Sequence, residues 1–304
     1  VEKKEMQTVR KAWYAGTWYS AEASVLQGTV DQAIQAAGAV GKPDSPLLPY
    51  ARFAVLPHAG LTYSARGIAH FFTHVSPDLQ RVVVLAPSHY AHLAVDRFTT
   101  AHYDAFETPL GSLGAFDLFP TDYQRFEEHP AAVQREHAVE MVLPFIAAMQ
   151  RQLGHRIQVS MALISEVSSP QAIQQLAGDV LEYLGREALE GGTTAVIASS
   201  DFTHYGQRFG YAPFGIAVNQ DVVDQVRVHD LELAQRLCAS QLGPILLEKR
   251  QHGTTVCGLA AASVVAALAG SLSSKGGVAD YYTSRDVMGD DATDFVAYCT
   301  ILWR

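Results

Sequence analysis

Cysteine is scarce in this chain. Its 304 residues contain three, Cys238, Cys257 and Cys299, and none lies in a CxxC pair. That set builds neither a disulfide framework nor a structural zinc cage, and it points to a reducing, cytoplasmic compartment. Charge is thin and one-sided: charged residues make up 17% of the sequence and the formal net charge is −9. An acidic chain repels phosphate backbones and anionic lipid surfaces, so neither nucleic acid nor a membrane is expected as a partner. The longest apolar run, 259–270, is too short to span a bilayer. The first thirty residues hold Trp13, Tyr14, Trp18 and Tyr19 but no continuous apolar core of a secretory leader. HExxH and GxSxG are missing, which removes the motif support for a zinc peptidase or a hydrolase nucleophile elbow. No repeat, low-complexity tract or linker divides the chain, so residues 1–304 read as one domain, with 1–10 as a tail.

What the sequence has is apolar substance, 48% of its residues, enough for a large core. A helix is predicted from Ser20 to about Ala37, then a Gly/Pro-containing loop over 38–49. The runs 53–56 and 81–86 read as buried strands around a helix at 64–74, a βαβ unit of a parallel sheet covered on both faces. Residues 90–135 are poorly periodic and read as a turn-rich, lid-like surface segment. Further on come a helix over 136–153, a strand over 157–164, a helix over 170–185 and a strand over 194–199. Helices at about 217–238, 243–250 and 259–269 and strands at 278–283 and 294–302 complete the chain. The fold class is therefore α/β: a mixed, mostly parallel central sheet with helices on both faces.

Histidine is plentiful at twelve, and its placement matters more than its number. In open parallel sheets, ligands bind beyond the carboxyl ends of the strands. Three strands here run into ionisable residues at that end: His58 after Pro57, His89 after Pro87-Ser88, and the Asp201/His204 pair after Ser199-Ser200. Prolines 57 and 87 lack an N–H and release the chain from the ladder. Neighbouring strands are ~5 Å apart, so such residues can converge on one ion, and neutral imidazole suits zinc, copper or iron. One strand-end histidine is usually an ordinary loop residue; three coincident sites are harder to reduce to that. Cys257, in a Gly-bounded loop before a helix, is either a third ligand or a small buried core residue. His137 and Glu140, three apart on the predicted helix, share a face and form either a base with its carboxylate or a solvated helix start. Ser199-Ser200-Asp201 with His204 offers a weak serine-hydrolase pattern.

Taken in order, Ala15-Gly16-Thr17-Trp18-Tyr19, Pro57-His58-Ala59-Gly60, Ala86-Pro87-Ser88-His89, Glu136-His137-Ala138-Val139-Glu140, Ser199 to His204 and Thr255-Val256-Cys257-Gly258 closely resemble the Memo family, whose prokaryotic members are often called AmmeMemoRadiSam system protein B. The resemblance runs from about residue 10 to the C-terminus. It implies a fold like that of the class III extradiol dioxygenases, non-haem iron enzymes that open catechol rings. It also implies that His58, His89 and Cys257 occupy the family's metal positions, with Asp201 and His204 lining the same pocket. The dioxygenases hold iron with two histidines and a carboxylate; a cysteine in the third place shifts preference toward softer metals or changes the iron potential, so fold alone does not carry the reaction.

Two functions follow as expectations. In the first, one transition-metal ion, iron or copper rather than zinc, sits on His58, His89 and Cys257 of a redox, dioxygenase-like enzyme. His204 is then the catalytic acid/base tuned by Asp201, and His137 and Glu140 bind substrate. In the second, the inherited pocket is a non-catalytic module for a small anionic molecule or phosphopeptide, a reading the animal member's link to phosphotyrosine peptides suggests and the acidic charge opposes. A hydrolase using Ser200 or a metal-bound water ranks last.

Overall fold

The computed structural model describes residues 8–40, 50–118, 123–289 and 293–304. Residues 1–7 of the tail expected over 1–10 and most of the expected loop over 38–49 lie outside the described residues. Among the described residues there are twelve strands: β1 (Val9–Arg10), β2 (Phe53–Leu56), β3 (Arg81–Ala86), β4 (Phe98–Thr100), β5 (Ala105–Thr108), β6 (Gly111–Ala115), β7 (Phe126–Glu128), β8 (Gln158–Leu163), β9 (Thr194–Ser199), β10 (His204–Tyr205), β11 (Gly276–Thr283) and β12 (Phe295–Trp303). Ten α-helices accompany them: α1 (Ala23–Val40), α2 (Leu61–Phe72), α3 (Pro130–Arg135), α4 (Leu143–Leu153), α5 (Pro170–Leu184), α6 (Arg186–Glu190), α7 (Gln220–Cys238), α8 (Leu242–His252), α9 (Leu259–Ser271) and α10 (Ser284–Met288).

The strands form one mixed sheet in the order β1-β5-β6-β8-β3-β9-β2-β12-β10, with β11 on β12, β4 on β8 and β7 on β4. Its centre, β6-β8-β3-β9-β2, is parallel throughout. The α/β class and the mostly parallel sheet are as the apolar runs indicated. The two-residue alternation within each strand divides the core in two. Ala54, Leu56, Val82, Val84 and Ile197 point to one face, where Leu26, Ile68, Phe71, Phe145 and Ile146 of α1, α2 and α4 cover them. Phe53, Val55, Val83, Leu85 and Val196 point to the other, under Leu176, Leu233, Val264 and Leu268 of α5, α7 and α9. Each such side chain contributes ~1.5–3 kcal/mol when fully buried, so the sheet rather than its connections carries the stability.

Strand order sharpens the βαβ expectation. β9 inserts between β2 and β3. In register, Leu56 lies opposite Ser199 and Leu85 opposite Ala198. The strand ends bearing His58, Asp201 and His89 are thus three consecutive neighbours at one level of the sheet.

Three local expectations differ from what is observed. Val9 and Arg10 pair with Ala105 and Phe106, and Arg10 is fully buried, so the last residues of the supposed tail belong to the sheet. The segment expected as a lid-like surface supplies β4, β5, β6 and β7; strands of three to five residues are too short to show a period. The helix expected over 136–153 begins at Leu143, with Pro144 in its first turn, where its missing N–H costs nothing and its fixed φ favours helix entry. Residues 137–142 are turns instead. No described helix is long and apolar enough to cross a membrane.

Candidate metal centre

His58, His89 and Cys257 come together at the carboxyl ends of β2 and β3 and the start of α9. One ligand atom from each lies within 4.8 Å of the others. Cys257 directly precedes Gly258, the N-cap of α9. The close approach depends on that glycine: a Cβ there would stand 2.2 Å from the Ser199 carbonyl oxygen. With any other residue, the start of α9 could not rest on the end of β9.

Hydrogen bonding fixes which nitrogen each histidine offers. The Ser199 hydroxyl donates its only proton to the Ala138 carbonyl at 2.6 Å. Its contact with His58 Nδ1 at 2.9 Å must therefore run from Nδ1–H to the serine oxygen. That leaves the His58 Nε2 lone pair facing Cys257 Sγ, 3.1 Å away. His89 Nδ1 meets Glu136 Oε1 at 2.8 Å, and the His89 backbone N–H donates to Oε2 at 2.7 Å. A carboxylate only accepts, so His89 also carries its proton on Nδ1 and presents Nε2. Burial pushes Glu136 upward, but the His89 ring, the His89 N–H and the Ala138 N–H outweigh it and hold the carboxyl below its ordinary range. Burial, with the neighbouring His89 and His204, holds His58 well below the usual imidazole range. Burial and the Asp201 charge push the Cys257 thiol up. The donor set is two imidazoles with free lone pairs and one thiol whose proton a cation would displace. It fits a borderline or soft transition metal.

A second group, His89, Glu136 and His137, is equally tight. Its carboxylate is already occupied by the His89 ring, two backbone N–H groups and the 3.3 Å approach of His137 Nδ1. In the His58/His89/Cys257 group, Cys257 Sγ meets His58 Nε2 at 3.1 Å and the Asp201 carbonyl at 3.6 Å, contacts of a thiol proton that a bound cation would displace, and this group is the better metal candidate.

The site opens into a cavity of about 750 Å³, lined among others by Trp18, Tyr63, His137, Asp201, His204 and Tyr298. His137 stacks between the histidines and Trp18, its ring centroid 4.4 Å from His89 and 4.2 Å from Trp18. Burial, then the charges of His58 and His89, push its pKa down to about 3, so it is neutral at physiological pH. His204 Nδ1 lies 3.1 Å from the Phe202 carbonyl and 3.0 Å from that of Thr255. Two acceptors there place the proton on Nδ1 and leave Nε2 open. Asp201 takes the His58 N–H at 2.7 Å and the Ala59 N–H at 3.3 Å on Oδ1, and burial raises its pKa. His204 is thus oriented by backbone carbonyls, whereas Asp201 acts on it through charge and directly holds the turn bearing His58.

The placement of Glu140 is a correction. Its carboxylate is fully buried away from the cavity and pairs with Arg10 at 2.6 Å, so it does not bind substrate. The assumed helical spacing to His137 does not exist, because both lie on turns before α4. Ser200 is also buried, accepting from Gly258 N–H and donating to the Asp201 carbonyl, an arrangement that turns its hydroxyl away from the role of a nucleophile. Glu136 and Ser199 set the ligand tautomers yet had no assigned role from sequence. The signal for Glu136 was its place at the head of the 136–140 motif; for Ser199 it was the strand end it shares with Asp201.

A fold and site of this kind define a class of α/β protein with a histidine- and cysteine-lined centre at its strand ends. The Memo-like protein family profile matches residues 10–302, and the chain belongs to that family. Protein MEMO1 of Xenopus laevis is 28% identical over 262 residues, covering 82% of this chain and 80% of the relative. The human Protein MEMO1 is 25% identical over the same coverage, and the Protein memo-1 homolog of Caenorhabditis elegans is 29% identical over 82% of this chain and 68% of its own length.

Proposed function

We propose that this Memo-like protein holds one transition-metal ion, iron or copper, on His58 Nε2, His89 Nε2 and Cys257 Sγ, and is an oxidoreductase related in chemistry to non-haem oxygenases. The observation that carries this is the pair of locked tautomers: Ser199 and Glu136 each accept an Nδ1–H, leaving two Nε2 lone pairs and a sulfur on one spot. Such an ion, when bound, supplies Lewis acidity and one-electron chemistry. The chain's own residues do the rest. His204 Nε2 accepts a proton from, or returns one to, a substrate in the cavity. Asp201 anchors the backbone under His58. Trp18 and His137 form a flat wall that orients a planar group and keeps water from that side. Glu136 and Ser199 hold the ligand rings in position.

Elemental analysis of protein purified without added metal tests the reading. About one equivalent of iron or copper is expected, with large loss in His58→Ala and Cys257→Ser. Full metal content in both variants refutes the ligand assignment. The alternative, a non-catalytic module for a small molecule or peptide, draws support from the size and aromatic lining of the cavity. It prevails if ligand binding survives complete removal of metal.

A further inference from the structure

Glu140 has four hydrogen-bond partners although it lies outside the cavity, and all come from one segment. Arg10 Nη1 donates to it at 2.6 Å, the Trp13 N–H at 3.2 Å, the Tyr14 N–H at 2.8 Å and the Tyr19 hydroxyl at 2.7 Å. The carboxylate and the Arg10 side chain are both fully buried. Arg10 also donates to the carbonyls of Val133 and Glu136, so the segment is tied to the same stretch that carries Glu136 and His137. Residues 10–19 run from this tie to the site, where Thr17 and Trp18 line the cavity. Trp18 then stacks on His137, and its carbonyl accepts the Leu61 N–H at 2.9 Å. A Cβ on Gly60 would stand 3.1 Å from that carbonyl oxygen, so the segment sits directly on the turn bearing His58.

We propose that Glu140 is a positioning residue: a buried clasp that fixes the N-terminal strap and thereby sets Trp18 as one wall of the cavity. The role of the wall rests on the reading of the cavity as the functional site, but the clasp does not require a metal. Four donors converge on one carboxylate, and three of them, the Trp13 and Tyr14 N–H groups and the Tyr19 hydroxyl, donate to no other acceptor among the described residues. A buried ion pair alone is a weak source of stability. Its value here is to select one path for a segment in which Tyr19 is buried in the core while Tyr14, Ala15 and Trp18 pack against that core only in part. Trp13 is exposed and Trp18 half-buried, whereas Trp303 is fully buried in the core.

The test uses the full chain carrying Trp13→Phe, so that acrylamide quenching reads Trp18 against a shielded Trp303. In Glu140→Gln, amide exchange at residues 13 and 14 is expected to accelerate about tenfold or more, with the loss of charge-assisted hydrogen bonds. Trp18 is expected to become more quenchable, while exchange in β3 and β9 and the metal content stay as in the parent. The double variant R10M/E140M removes both charges together. Its melting temperature is expected below that of the parent, because the Trp13, Tyr14 and Tyr19 donors lose their acceptor, with the strap still loose. Unchanged exchange and quenching in Glu140→Gln overturn the proposal. So does a uniform acceleration reaching β3 and β9, which makes Glu140 a general stability residue. A tight strap in R10M/E140M also overturns it, because packing alone then suffices. Loss of metal from His58→Ala or its absence altogether bears only on the metal reading and leaves these measurements intact.

Discussion

Asp230 lies under the loop that carries Asp201 and His204, fully buried. Its two oxygens accept from the Thr203 hydroxyl at 2.6 Å and the Tyr281 hydroxyl at 2.9 Å. No cation is among these partners, and burial raises its pKa from 3.8 to about 7. The folded protein therefore holds a proton on Asp230 through a pH range in which the unfolded chain has released it. Below about pH 4 both states are protonated and the group is neutral in its effect. As pH rises from about 4 to about 7, the folded state binds the extra proton, so stability falls with pH; above about 7 the penalty is complete. The rise from 3.8 to about 7 corresponds to a penalty on the order of 4 kcal/mol. Asp230→Asn copies the protonated form. It should match the parent near pH 4 and exceed it by a few kcal/mol at pH 8. Urea titrations of both proteins across this range, with chelator present to remove metal linkage, give the difference directly. The depressed carboxyls, such as Glu136 and Asp280, cancel in that difference. A parent-minus-variant difference that does not change with pH, or a variant less stable than the parent at pH 8, refutes the reasoning.

Other perturbations have equally definite expected outcomes. Glu136→Gln removes the carboxylate that locks His89 and should weaken metal binding about 10- to 100-fold, measured by competition with a chelator. Gly258→Ala places a methyl group 2.2 Å from the Ser199 carbonyl oxygen and should abolish folding or cost several kcal/mol, read as a collapse in melting temperature and soluble yield; wild-type stability would show that α9 can move off β9. Phe71→Ala, in the core over the sheet, should cost ~3–5 kcal/mol in denaturant midpoint experiments. A fluorophosphonate probe should leave Ser200 unlabelled, and labelling at that residue would restore the hydrolase reading.

The central sheet was legible because β2, β3 and β9 are short apolar runs that end in proline or in Ser199-Ser200, a pattern that survives without knowing the partners. Their order was not. Nothing local in Thr194–Ser199 says that it lies between the strands ending at His58 and His89, because strand pairing depends on the whole chain. Strands β4 to β7 were missed for a different reason. Three to five residues hold too few alternations to stand out, and the two-residue turn Pro109-Leu110 reads equally well as a loop. His58, His89, Asp201 and His204 were visible as strand-end residues. Cys257 needed the ordered motifs, since a lone cysteine before an Ala-rich helix looks like core.

The harder lesson lies in residues 136–140. As a sequence, Glu136-His137-Ala138-Val139-Glu140 has the look of a helix start, and that frame pairs His137 with Glu140. As a turn, it sends successive groups in different directions. Glu136 reaches the His89 ring and fixes its tautomer. The Ala138 carbonyl takes the Ser199 proton and so decides which nitrogen His58 presents. His137 enters the cavity between the two rings and Trp18. Glu140 turns away to hold the strap. A regular helix would engage the Ala138 carbonyl in its own ladder and set Glu140 on the same face as Glu136 and His137, so it could not serve these separate targets. Irregular backbone here is therefore what lets one short segment organise both histidine ligands and the cavity wall, and it is also why a periodicity argument assigned Glu140 to the wrong task.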